Sequence, residues 1–105
     1  MSLPTSNHVE RWLEQLGESD APYAQACAEL TAAKELLKVS KMAALPNEGT
    51  ALEREKAAYT SAEYRLAIER LEKAEYSKKL LELRREQWQL GIDVWRSLNA
   101  NMRRA

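Results

Sequence analysis

The residues best equipped for chemistry in this chain are carboxylates. Glu69, Glu72, Glu75 and Glu82 fall at helical spacings and could pair for acid–base work. The same stretch, however, supplies Arg65, Arg70, Lys73, Lys78 and Lys79 at i,i+3 and i,i+4 offsets, the spacing of ion pairs along a helix surface. The pattern is therefore that of a solvated charged face. His8 is the sole histidine and has no cysteine beside it, which leaves a metal site without support. Di-iron bundles need Glu-x-x-His pairs, and the chain has none. Cys-x-x-Cys, a phosphate-binding P-loop and a glycine-rich turn after a strand are also missing from the sequence. No enzyme activity and no cofactor are expected. Cys27 is the only cysteine, so no internal disulfide can form, and its alanine-rich surroundings suit a small buried apolar residue in a cytosolic protein.

What remains are residues suited to contact. Leu81, Trp88, Ile92, Trp95, Leu98 and Met102 cluster toward one end of the chain and are the expected interface with a second copy or a partner protein. Arg84, Arg85, Arg96, Arg103 and Arg104 surround the same two tryptophans. They offer an alternative, nucleic acid, with guanidinium groups on phosphates and indoles stacked on bases. Basic residues near a helix end also complement its dipole without any ligand. The totals of 16 basic and 16 acidic residues disfavour a dedicated nucleic-acid binder. Up to Thr50 there are 4 basic and 7 acidic residues, and from Ala51 onward 12 and 9, so the basic tilt is small.

The elements that must position these residues are helices. Ala, Leu, Glu, Lys, Arg and Gln dominate, with three glycines, three prolines and no phenylalanine. No apolar run approaches the roughly 20 residues that cross a bilayer, and no secretory leader is visible. The expected fold is all-α: a single helical domain over 1–105, a long antiparallel, coiled-coil-like hairpin with a short N-terminal helix, assembled into an oligomeric bundle. Val9, Trp12, Leu13 and Leu16 make one apolar face, and Gly17 follows as a stop, which predicts a first helix over about 7–16. Ser19-Asp20-Ala21-Pro22 restarts the chain, predicting a second helix over about 22–44. Leu45-Pro46-Asn47-Glu48-Gly49 is a turn, and Thr50 with Glu53 reads as a capping box opening a third helix over about 50–102.

Two rows at steps of seven mark the buried seam of that third helix. Tyr64, Leu71, Lys78, Arg85 and Ile92 form one, and Ala67, Ala74, Leu81, Trp88, Trp95 and Met102 the other. Lys78 and Arg85 are expected to cover the seam with their stems while their charges reach water. Leu83, Leu90 and Val94 lie on nearly the opposite side, and a helix apolar on both sides is usually covered on both. Counted from the turn, the first helix reaches only to about residues 86–89 of the third. The tryptophan end is then left for a second copy, with a dimer favoured.

The tail Ile92-Asp93-Val94-Trp95-Arg96-Ser97-Leu98-Asn99-Ala100-Asn101-Met102-Arg103-Arg104, together with Gly49-Thr50-Ala51-Leu52-Glu53-Arg54-Glu55 and Ser61-Ala62-Glu63-Tyr64, resembles small uncharacterised helical proteins of tailed bacteriophages and prophages. The likeness covers roughly the second half and rests on Glu53-Arg54 and Trp95-Arg96. It implies an accessory protein in a bacterial host cytoplasm, acting by protein–protein contact or, alternatively, in phage DNA replication or recombination. It carries no assigned activity.

Overall fold

A computed structural model of the chain describes residues 3–104, the side chain of Arg104 excepted. Three helices account for the architecture: α1 (Ser6–Ala44), α2 (Ala51–Tyr59) and α3 (Ala62–Arg104). No strand occurs among the described residues. The all-α fold expected from composition is what forms, but two helix boundaries differ from expectation.

The first difference is that α1 does not stop at Gly17 or restart at Pro22; both lie inside one helix. The cause is the phase of the buried positions. Val9, Trp12, Leu16, Ser19, Tyr23, Ala26, Leu30, Ala33 and Leu37 are all buried or half-buried, and they alternate steps of three and four without a slip. A break at Gly17 would lose that register. Helix-internal Gly and Pro cost about 1 and 3 kcal/mol relative to Ala, so packing on α3 has to offset both. Leu13, grouped with the apolar face by spacing, stays half exposed.

The second difference lies at Thr60 and Ser61, where the expected third helix divides into α2 and α3. Hydroxyl groups compete with the backbone here. Thr60 Oγ1 donates to the Lys56 carbonyl at 2.9 Å, and Ser61 Oγ to that of Ala58 at 2.7 Å. The Tyr64 N–H then donates to Ser61 Oγ at 3.2 Å, which makes Ser61 the N-cap of α3.

The chain forms two compact units, Met1–Ala24 with Lys79–Ala105, and Gln25–Lys78. In the second, Ala26, Leu30, Ala33, Ala58 and Ala67 make a core mostly of alanine. The capping box at Thr50 is present, with Glu53 N–H on Thr50 Oγ1 at 3.2 Å and Thr50 N–H on Glu53 Oε2 at 3.3 Å. Gly49 sits at φ 107°, the left-handed region that favours glycine, and Arg54 Nε holds the Pro46 carbonyl at 2.6 Å. Lys41 Nζ donates to the Tyr59 hydroxyl at 2.8 Å, and the Tyr59 and Tyr64 rings meet edge to face at 5.2 Å.

In the first unit α1 and α3 run antiparallel. Trp12 lies on Gly91, Ser19 faces Arg85, and Tyr23 bonds Glu82, so numbers rise on one helix as they fall on the other. Thr5 precedes α1; its N–H donates to His8 Nδ1 at 3.0 Å and its hydroxyl weakly accepts the His8 N–H at 3.4 Å. That exchange is a capping box with histidine in the position usually taken by glutamate.

Candidate functional site

The tryptophan end of α3 is better covered by its own chain than the sequence implied. Because α1 continues through residues 17–22, its N-terminal part lies alongside residues 82–92. Ile92 is 1% exposed and shares the core with Val9. Leu81, Trp88, Trp95 and Leu98 are half-buried, and only Met102, 75% exposed, is left open. The expectation that nothing in the chain reaches past residues 86–89 is thus corrected, and Ile92 offers no surface to a partner. Both heptad rows hold: every member except Met102 is buried or half-buried.

Gly91 accommodates Trp12. A Cβ at position 91 would stand 2.7 Å from Cζ3 of that indole, so the ring rests on the α3 backbone. His8 stacks on the other side of the ring at 5.6 Å between centroids. Pro4, His8, Trp12, Gln87, Leu90, Gly91 and Val94 together line an open, largely apolar pocket of about 410 Å³.

Beside this pocket lies the outward side of α3. Leu83, Leu90 and Val94 are 46, 64 and 41% exposed. At about 100° per residue they project roughly 120–180° away from the seam of Leu81 and Trp88. With half-buried Leu80 and polar Gln87 they fall at steps of three and four, 80–83–87–90–94, the spacing of a second helix-packing seam. One apolar side of α3 is occupied by α1, and the other is free.

The arginines do not converge on one face. Arg85 is committed within the chain: its Nη1 contacts Ser19 Oγ at 2.6 Å, Asp20 Oδ1 at 2.9 Å and the Leu16 carbonyl at 3.2 Å, and its guanidinium lies 5.1 Å from the Tyr23 ring centre. The expectation that its charge reaches water, and that it is available to phosphate, is corrected. Ser19, 7% exposed, leaves room for it because a larger side chain at that heptad position would fill the space. Arg84, Arg96 and Arg103 are exposed. Arg96 and Arg103 share a face to within about 20°, and Arg84 points roughly 120° away from Arg96 around the helix. The Arg104 side chain lies outside the described residues.

Glu82 accepts the Tyr23 hydroxyl at 3.0 Å and lies 3.9 Å from Lys79. Glu69 and Glu72 line an open hollow along one face of α3 with Lys73, Tyr76 and Ser77, and Glu75 is exposed. Among the described residues no group of three His, Cys, Asp or Glu could hold a metal ion. Cys27 is a half-buried free thiol. Of the residues carrying the phage likeness, Glu53 and Arg54 build the turn and cap, Trp95 is half-buried in the seam, and Arg96 is exposed. No described helix is long and apolar enough to cross a membrane. The chain matches no known family model, no curated protein and no solved structure.

Proposed function

We propose that the protein is a non-enzymatic accessory protein of phage or prophage type that works in the bacterial cytoplasm by protein–protein contact, self-associating through the outward face of α3. The observation that carries this is the exposed row of Leu83, Leu90 and Val94, in heptad register beside the Trp12 pocket. The occupant is a second copy of the chain, and surface area supports that choice. A monomeric protein of 12.0 kDa exposes about 6,000 Å². This chain exposes 8110 Å², an excess larger than the roughly 800 Å² that each partner contributes to a standard interface. A balance of 16 basic and 16 acidic residues leaves two copies without net repulsion. The phage assignment leans on the resemblance of residues 49–55, 61–64 and 92–104.

Light scattering on purified wild type and on Leu83→Glu/Leu90→Glu tests the proposal. The expected result is a dimer for wild type and a folded monomer for the double variant, since both positions are exposed in the single chain. A wild type that stays monomeric at high micromolar concentration defeats the self-association reading.

A further inference from the structure

Four of six consecutive residues of α1, Gly17, Ser19, Asp20 and Pro22, are poor helix formers, and they weaken the same two turns. Nothing lies within 4 Å of a Cβ built at Gly17, so no close approach explains the glycine. Pro22 has no N–H to offer the Glu18 carbonyl. The Ser19 hydroxyl turns back to the Leu16 carbonyl at 2.9 Å and competes with the helix's own hydrogen bonds. Opposite these turns stands Arg85, which bonds Leu16, Ser19 and Asp20 together from α3 and packs on Tyr23. One cation thus ties down both sides of the weak stretch.

N-terminal to it, residues 6–16 carry Val9, which is buried, and Trp12, whose ring lies against Gly91. We infer that residues 6–16 form a latch: an arm hinged at 17–22 and pinned by Arg85, which opens as a unit and uncovers the α3 seam of Trp88, Ile92 and Trp95. The inward seam is then a conditional surface, distinct from the permanently open row of Leu83, Leu90 and Val94. The two surfaces meet where His8 and Trp12 of the arm line a pocket with Leu90 and Val94, so self-association is measured beside the latch.

Residue-resolved amide hydrogen exchange, in low denaturant, reads the latch directly. In wild type, amides of 9–16 should lose protection together, at least tenfold faster than those of 30–37, with a step in protection across 17–22. Arg85→Met should speed the arm by a further tenfold or so and leave 30–37 unchanged. Gly17→Ala/Pro22→Ala, which repairs the hinge, should slow the arm and close the step. Two results overturn the proposal. One is a smooth gradient of protection rising from Ser6 with no step, which is ordinary end fraying. The other is exchange of 9–16 at the same rate as 30–37 in all three proteins, which is global unfolding. Measuring wild type and Arg85→Met at two protein concentrations separates the latch from self-association, since the step across 17–22 and the effect of Arg85→Met should be the same at both.

Discussion

Two glycines inside helices make opposite demands on the chain, and a single methyl group separates them. At Gly91 a Cβ would meet three atoms of the Trp12 ring at 2.7–3.0 Å. Alanine improves helix propensity by about 1 kcal/mol but forces the indole off the backbone, and overpacking of that kind costs about 1–3 kcal/mol. Gly91→Ala should therefore be neutral to destabilising in urea unfolding and should shift Trp12 fluorescence. At Gly17 the space is empty, so Gly17→Ala should stabilise by about 1 kcal/mol. If both alanines stabilise alike, the indole does not rest where it is placed here. The sequence showed Trp12 and Gly91 but not that they meet, because pairing between helices follows from register and not from either residue alone. Ser19 was legible in principle, since it continues the three–four phase from Leu16 to Tyr23. A polar residue at a core position disguised the continuity, as did Arg85 opposite, whose expected route to water ends instead on that serine.

At the scale of elements, the turn and caps were readable because their chemistry is local. Thr50 and Glu53 exchange their hydrogen bonds as the spacing predicted, and Thr50→Ala should cost about 0.5–2 kcal/mol, measured by thermal unfolding against wild type. The α2–α3 interruption escaped notice although Thr60 and Ser61 lie side by side; adjacent hydroxyls are tolerated in many helices, and here their bonds to the Lys56 and Ala58 carbonyls decide. The end of α1 is tied to α2 by Lys41, whose ammonium donates to Tyr59 and is held above its ordinary 10.5 by that hydrogen bond first, against a smaller desolvation effect. A lysine raised in the folded state adds stability that is complete below 10.5 and fades as pH climbs through its elevated value. Alkaline titration of the unfolding midpoint should accordingly show a stronger decline above pH 10.5 for wild type than for Lys41→Met. Parallel curves would remove Lys41 from the account.

For the molecule as a whole, the decisive quantity is how little of its apolar surface it buries alone. Among the described residues, four of the seven buried hydrophobic ones are alanines, and Ile92 is the only large side chain below 2% exposure. Such a core is thin for a chain of 105 residues, and small domains commonly gain what they lack by oligomerising. The two-sided apolar character of residues 80–98 was visible in the sequence, but the side that α1 would take was not, because the apparent stop at Gly17 shortened α1 in the reckoning. Corrected for that, the demand for company moves from the tryptophan seam to Leu83, Leu90 and Val94. The consequence is measurable without knowing any partner. Unfolding of a dimer to separate chains is concentration-dependent, so a tenfold increase in protein should raise the midpoint by about 3 °C. Leu90→Glu should abolish that dependence and leave a folded protein with a lower, constant midpoint, whereas Ile92→Ala should lower stability by about 2–5 kcal/mol through its cavity and keep the dependence. An apolar interface between neutral chains should also hold its concentration dependence as salt rises, where contacts built on Arg84, Arg96 and Arg103 would weaken. A midpoint indifferent to concentration at every salt level would mean that the outward face of α3 tolerates water, and the self-association argued from it would fall.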